Sequence, residues 1–301
     1  MTNLFLAFVL CMFSIFCHAK VPTMVSSISP VNALVDGVTA GVTTSTLLVP
    51  PNVSHHHYSL KPSDAMALQN ATVVVWLGHS LETFLEKPIA NLSNNTTIIT
   101  IEELPKLTLY PLRSNKNWEH SGHDHAHHSN IDPHLWLDPQ NAIIIIRAIA
   151  NTLSKIDADH AKLYQANADS MITKINELDK KLMSQLKPIK DKSFLVFHDG
   201  YQYFEKHYQL TGDAGSIAMD SELPPSAQRL YQLHQLIEQK NIKCLFAEPT
   251  TSSAIIQTLQ RDAKNGNITV GELDSMGKGH LFADYLNLLQ FDADQLTMCL
   301  R

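Results

Sequence analysis

The sequence has no excess of basic residues and no apolar run long enough to cross a membrane as a helix. Lysine and arginine number 23 against 29 aspartates and glutamates, which gives a formal net charge of −6. A chain with this balance lacks the positive surface that attracts nucleic acid or anionic lipid, so neither is expected as a partner. Its 301 residues, 44% of them hydrophobic, suffice for one large or two mid-sized globular domains.

The motifs of common zinc enzymes are also missing. The chain contains no H-E-x-x-H and no H-x-E followed by C-x-x-C, and no carboxylate is spaced as an obvious general base. We therefore expect a binding protein and not an enzyme. A zinc-dependent hydrolase is the alternative, because three histidines with an open fourth position also form catalytic zinc sites.

The first 19 residues are typical of a signal peptide. Residues 4–16 form an unbroken apolar run, which is shorter than the roughly 20 residues that a membrane-spanning helix needs. The following Cys17-x-Ala19 resembles a small-residue cleavage site, and processing there would release a soluble periplasmic protein that begins at Lys20. No lysine or arginine precedes the run, so a buried N-terminal helix and a lipid anchor on Cys17 are alternatives.

Cysteine is scarce, with four in the whole chain. Cys11 and Cys17 fall within the predicted signal peptide, which leaves Cys244 and Cys299. Two cysteines in one chain usually form a bridge in an oxidising compartment, so we expect a disulfide between them. Two buried free thiols are the alternative.

Short apolar runs alternate with helical stretches along the rest of the chain. The runs that predict buried strands are Thr44–Val49, Thr72–Leu77, Ser193–Phe197, Ile242–Phe246 and Ile268–Val270. Ser63–Gln69 and Pro225–Gln239 predict helices between them. This alternation predicts an α/β fold with mainly parallel sheets and right-handed crossovers.

One element interrupts the alternation. Residues 159–186 lack glycine and proline and carry apolar residues at helical spacing, which predicts a single helix about 42 Å long. We interpret it as a rigid linking helix (159–187) between an N-terminal lobe (20–158) and a C-terminal lobe (188–301). A long surface helix on a single domain is the alternative.

Histidine is the residue type in excess, with 16 in the chain. The polar segment 113–131 has neither helical nor strand periodicity and is expected to be a loop. Its histidines are His120, His123, His125, His127 and His128. Imidazoles with a pKa near 6.5 bind metal weakly at neutral pH, so this loop is a candidate secondary metal site. A solvated loop without a role is the alternative.

Four short segments that follow predicted strands or prolines contain potential metal ligands. They are N-V-S-H-H-H-Y-S-L at 52–60, D-P-H-L-W-L-D-P at 132–139, F-H-D-G-Y at 197–201 and G-E-L-D at 271–274. Because open α/β sheets bind ligands beyond the carboxyl ends of their strands, these segments could converge between the lobes. Three neutral imidazoles with one carboxylate or water form a tetrahedral zinc site.

These segments, together with H-x-Y-S-L-x-P-S-D at 56–64 and A-E-P at 247–249, carry a family resemblance. Over the whole mature chain the sequence resembles the metal-binding proteins of cluster A-I ABC importers, and among them the periplasmic zinc-binding receptors. The resemblance implies two α/β lobes joined by a long helix, with the metal site between the lobes. It also implies a receptor, expected to be a monomer, that delivers Zn²⁺ to the permease and ATPase of an importer for high-affinity uptake.

The resemblance assigns the three imidazole ligands to His56, His134 and His198. Some zinc-binding relatives have glutamate where this chain has His55, so a carboxylate ligand from that position is in doubt. Asp274 is then the preferred fourth ligand, with His55 or water as alternatives.

The residue at position 198 bears on the choice of metal. Related manganese binders carry a carboxylate where this chain has His198, and nitrogen-rich sites favour Zn²⁺ over Mn²⁺. A manganese or iron receptor of the same family remains a second possibility, and a surface adhesin on the same scaffold is a third.

Overall fold

The computed structural model of the protein describes residues 21–51, 53, 58–113, 118, 130–212, 215–218, 225–249, 253–262, 268–277 and 282–301. The predicted signal peptide, His55, His56 and the five loop histidines lie outside these ranges. Within them, none of the helices combines the length and the apolar composition that crossing a bilayer requires.

The N-terminal lobe is built on a four-stranded parallel sheet. Its strands are β1 (Met24–Ser26), β2 (Ser45–Leu47), β3 (Val73–Trp76) and β4 (Thr97–Thr100), in the order β2-β1-β3-β4. Its helices are α1 (Ser29–Thr39), α2 (Pro62–Asn70) and α3 (Thr83–Ala90). Every residue of the central strands β1 and β3 is buried, which explains the continuous apolar run in β3.

Two long helices follow this lobe. Helix α4 (Pro139–Ile156) begins at Asp138, whose side chain accepts a hydrogen bond from the backbone N–H of Gln140 and so satisfies a free donor at the helix start. Helix α5 (Ala161–Leu186) spans 26 residues and is the long helix expected from the sequence. This helix does not stand alone between the lobes, because it packs along α4 and α1.

The C-terminal lobe repeats the topology of the first. Its parallel strands are β5 (Phe194–Val196), β6 (Gly215–Ser216), β7 (Cys244–Ala247) and β8 (Thr269–Glu272), in the order β6-β5-β7-β8. Its helices are α6 (Gln202–His207), α7 (Ala227–Lys240), α8 (Ser253–Asp262) and α9 (Phe282–Leu300). The predicted fold class, two parallel-sheet lobes joined by a long helix, is confirmed.

A disulfide ties β7 to α9. It joins Cys244 and Cys299, 55 residues apart in sequence, across a Cα–Cα distance of 5.8 Å. The expected bridge is therefore present in the structure.

The largest apolar core runs through both lobes, and each lobe adds a smaller cluster of its own. A single cluster of buried side chains contains Val75 of β3, Ile149 of α4, Ile175 of α5, Val196 of β5 and Leu289 of α9. Helix α9 of the C-terminal lobe also packs against α1 of the N-terminal lobe and against α5. The two lobes are consequently held together by a shared hydrophobic interior as well as by the chain that links them.

Candidate metal centre

The carboxyl ends of β5 and β7 meet where the strand order of the C-terminal sheet reverses. These two strands pair directly, with Val196 opposite Phe246. His198 stands two residues beyond β5, and Glu248 follows β7 immediately. In open α/β sheets this is where ligands bind, so the two side chains lie at the expected position.

The segment that carries His134 leads into α4 and is hydrogen-bonded to the C-terminal lobe. After His134, a buried 3₁₀ turn (Leu135–Leu137) leads into α4. Within this turn the indole Nε1 of Trp136 donates to the backbone oxygen of Ser275 at 2.7 Å, and the hydroxyl of Tyr285 donates to the backbone oxygen of Trp136 at 2.9 Å. A segment that precedes the linking helix is thus bound to the C-terminal lobe.

The structure brings His134 and His198 together in the interior. Their Nε2 atoms are 3.2 Å apart and their ring centroids 5.1 Å apart. The residues are 2% and 3% exposed, respectively. Two of the three histidines that the sequence predicts as ligands therefore have their Nε2 atoms facing each other.

A carboxylate lies against the other nitrogen of each imidazole. Asp132 Oδ1 is 2.9 Å from His134 Nδ1, and Glu248 Oε1 contacts His198 Nδ1. Burial would raise the pKa of Asp132, but the hydrogen bonds from His134 and Gln202 hold it below its usual value. Burial would lower the pKa of His198, and the adjacent charge of Glu248 raises it instead.

Asp274 caps a tight turn after β8. Its Oδ1 accepts hydrogen bonds from the backbone N–H groups of Met276 and Gly277 at 3.1 and 3.0 Å. Its own backbone N–H donates to Asp292 Oδ1 at 2.9 Å. Burial is the main cause of the raised pKa of Tyr201, and the charges of Glu248, Asp292 and Asp274 add to it.

The described residues do not by themselves complete a metal shell. Within the ranges that the structure describes, no three histidine, cysteine, aspartate or glutamate side chains form a group that could hold a metal ion. His56, the third expected ligand, and His55 lie outside those ranges, as do the five loop histidines. The assignment of His56 and Asp274 as ligands therefore remains a prediction.

Charged side chains cross between the lobes beside the histidine pair. Arg113 Nε donates to both carboxylate oxygens of Asp199, at 2.9 and 3.1 Å, and its Nη1 donates to Glu205 at 2.7 Å. The guanidinium also lies 3.5 Å above the ring of Trp118. Burial, opposed by Arg113, raises the pKa of Asp199 to about 7. This cluster ties the segment that follows His198 to Arg113 of the N-terminal lobe.

Sequence reasoning had assigned no role to the carboxylates of Asp132 and Glu248. Both stand in segments that carry the family resemblance, D-P-H at 132–134 and A-E-P at 247–249. The position of Glu248 directly after an apolar strand was an available signal, because that is where the ligand-binding edge of a parallel sheet lies.

The sequence matches a known protein family over most of its length. Residues 24–299 match the family model described as "ZnuA: Zinc-uptake complex component A periplasmic". The high-affinity zinc uptake system protein ZnuA of Brucella abortus (strain 2308) is 35% identical over 285 residues, covering 84% of each chain. The protein of the same description from Yersinia pestis is 33% identical over 295 residues, covering 92% of this chain and 91% of its own.

Solved structures share the fold. A crystal structure of ZnuA superposes with a TM-score of 0.78 at 22% identity and covers 94% of this chain and 100% of its own. The laminin-binding protein Lmb of Streptococcus agalactiae, described as an adhesin with metal-transporting activity, gives 0.77 at 20% identity with the same coverage. With a family match over nearly the whole chain and relatives above 30% identity, this chain belongs to the ZnuA family of periplasmic zinc-uptake components.

Proposed function

We propose that this protein binds Zn²⁺ outside the cytoplasm and delivers it to the permease of an ABC importer. The observation that carries the proposal is the convergence of His134 and His198, one from each side of the linking helix, in a buried position between the lobes. Family membership adds weight, since the curated relatives are described as proteins of high-affinity zinc uptake.

The spacing of the two imidazoles suits a tetrahedral ion. Zinc–nitrogen bonds of 2.0–2.1 Å place two nitrogens of a tetrahedral site about 3.3 Å apart. The Nε2 atoms of His134 and His198 are separated by 3.2 Å. An ion could thus bind between them with little movement of either ring.

The chemistry of the donors favours zinc. Imidazole nitrogens bind Zn²⁺ in preference to Mn²⁺, which prefers oxygen ligands. His56 would supply the third nitrogen, and Asp274, His55 or water would complete the shell. A fourth protein ligand would leave no metal-bound water to activate, so a receptor accounts for the site better than a hydrolase.

The remaining parts of the chain fit the same role. Cleavage after Ala19 would export a chain that begins at Lys20, and the histidines at 120–128 would hold further zinc weakly. The handover would require the permease and its ATPase as partners. The exported chain would act as a monomer. Its N-terminal lobe would end near residue 158 and its C-terminal lobe would begin after residue 187, with the linking helix between them.

The test is metal binding by the purified protein and by ligand variants. We expect elemental analysis to find zinc, and chelator competition to give one tight zinc site. His134→Ala and His198→Ala should each weaken that site by more than about a hundredfold, since direct ligands contribute more than their hydrogen-bonded neighbours, which are worth 10–100-fold.

His160→Ala is the matched control. His160 also places its Nδ1 against a buried aspartate, Asp157, at 2.8 Å, but it lies at the start of α5. This variant should keep wild-type zinc affinity. Tighter binding of Mn²⁺ than Zn²⁺, or wild-type zinc affinity in His134→Ala, would contradict the proposed function.

A further inference from the structure

We propose that Asp132 and Glu248 are positioning residues that hold His134 and His198 in the tautomer that places a lone pair on Nε2 for the ion. This inference rests on the proposed function, because it concerns how the histidine pair meets Zn²⁺. It assigns a role to one carboxylate from each side of the linking helix.

Asp132 is arranged so that its carboxylate accepts hydrogen bonds from His134. Oδ1 receives the backbone N–H of His134 at 3.0 Å and lies 2.9 Å from Nδ1 of the same residue. Oδ2 receives the side-chain amide of Gln202 at 2.8 Å. An ionised carboxylate is an acceptor only, so the ring nitrogen that faces it must carry a hydrogen.

Glu248 repeats this arrangement in the other lobe. Its Oε1 contacts Nδ1 of His198, and the two side chains are 8% and 4% exposed. The two residues follow the paired strands β7 and β5, so the sheet itself sets their separation. Two carboxylates from different elements thus meet the same nitrogen of two different imidazoles.

This arrangement determines where the lone pairs point. A neutral imidazole that carries its hydrogen on Nδ1 has its lone pair on Nε2. The two Nε2 atoms face each other at 3.2 Å, where two lone pairs repel unless a cation lies between them. Had either ring carried its hydrogen on Nε2, an N–H group would occupy the position of the ion.

The same chain contains a comparable pair away from the site. Asp157 is buried and lies 2.8 Å from Nδ1 of His160, and it also accepts from the hydroxyl of Tyr164. This pair precedes α5, and His160 was chosen above as a residue without a role in metal binding. A variant of the Asp157–His160 pair therefore shows what the loss of a buried aspartate–histidine contact does to stability, without a change at the zinc site.

The experiment compares Asp132→Asn, Glu248→Gln and Asp157→Asn with the wild type. Zinc affinity is measured by chelator competition, and long-range ¹H–¹⁵N spectra of the metal-free proteins at alkaline pH show which ring nitrogen carries the hydrogen. We expect both histidines of the wild type to carry it on Nδ1. The amides can donate as well as accept, so each site variant should give a mixture of tautomers at its own histidine.

The expected loss of zinc affinity is about 10–100-fold for Asp132→Asn and for Glu248→Gln, the range found for second-layer partners of metal-bound histidines. Asp157→Asn should retain wild-type affinity even where it lowers the melting temperature. Unchanged affinity in both site variants, or a loss of affinity with both rings still protonated on Nδ1, would overturn the inference. Failure of the wild type to bind zinc would instead overturn the proposed function.

Discussion

Asp274 has a structural task that must be separated from any role as a ligand. Its Oδ1 holds the backbone N–H groups of Met276 and Gly277, and Gly277 has a φ of +67° that a residue with a side chain rarely adopts. Loss of the carboxylate therefore affects the turn as well as the ion. A change in zinc affinity after its removal cannot be assigned to ligation until the turn is kept intact.

Asparagine at this position keeps an oxygen for the turn while it removes the charge. We expect Asp274→Ala to lower the free energy of unfolding of the metal-free protein by about 1–3 kcal/mol, because two backbone donors lose their acceptor. Asp274→Asn should cost less than half as much. Urea unfolding of both variants measures the difference, and equal losses would show that the turn does not depend on the side-chain oxygen.

Both Asp274 variants should also weaken zinc binding less than His134→Ala does, because water can replace a carboxylate ligand. If Asp274→Asn bound zinc as weakly as His134→Ala, the carboxylate would be as important as an imidazole, and water could not replace it.

At the scale of single residues, the sequence indicated which side chains could bind metal but not which side chains contact one another. His134 and His198 were predicted as ligands from their motifs, and the structure brings them to 3.2 Å. Their carboxylate partners depend on which strands pair, which no local pattern encodes. His207 illustrates the same limit, since no pattern in the sequence indicates that its imidazole is held between Asp138 and Asp179.

His207 joins three elements through its two ring nitrogens. Nδ1 lies 3.1 Å from Asp138 at the start of α4, Nε2 lies 2.8 Å from Asp179 of α5, and the residue itself ends α6. Burial alone would lower its pKa, but the two carboxylates raise it to about 9. The neighbouring Tyr208 hydroxyl, whose pKa is raised mainly by burial, stays neutral over this range.

A raised pKa of a histidine stabilises the fold only while the residue is charged. The contribution of His207 should be complete below its ordinary pKa of about 6.5 and should be lost as the pH rises through about 9. We expect wild-type protein to exceed His207→Gln by about 3 kcal/mol in unfolding free energy at pH 6, and by nearly nothing at pH 10. Denaturant titrations of metal-free protein across this range test it, and a pH-independent difference would refute the charged bridge.

At the scale of elements, the linking helix and the strands that lie in unbroken apolar runs were predicted, whereas several helices and some of the strands with small or polar residues were not. Helix α5 and strands β3 and β7 lie where continuous periodicity placed them. Strands β1, β4 and β6 were not predicted. β1 is three residues long and contains a serine, β4 begins and ends with threonine, and β6 is a Gly-Ser pair. Their conformation depends on the neighbouring strands more than on their own sequence.

At the scale of the whole molecule, the shared core predicts how the protein unfolds. Each lobe has a smaller apolar cluster on the opposite face of its sheet. The largest cluster, however, includes residues of both sheets and of helices α1, α4, α5, α6 and α9, so the loss of one lobe exposes the main interior of the other. We expect calorimetry of the metal-free protein to give one transition, with equal calorimetric and van't Hoff enthalpies. Two resolved transitions would show that the lobes unfold independently.

Zinc should raise that single transition. A ligand at a thousandfold excess over its dissociation constant adds about 4 kcal/mol, which for a chain of this size corresponds to a rise of about 5–10 °C. His134→Ala should remove the rise and leave the metal-free transition in place. A zinc-induced rise that survives in this variant would locate the binding that causes it elsewhere in the chain.

The hydrogen bonds of Trp136 to Ser275 and of Tyr285 to Trp136 have a consequence for exchanging parts between relatives. By chain order the segment with His134 belongs to the first half, but Trp136 within it is hydrogen-bonded to the second. A chimera joined within α5 would pair this segment with a foreign 272–285 region, and both the histidine spacing and the core around Trp136 would have to be rebuilt. Recombination between members of this family should therefore preserve function only when these two stretches are inherited together.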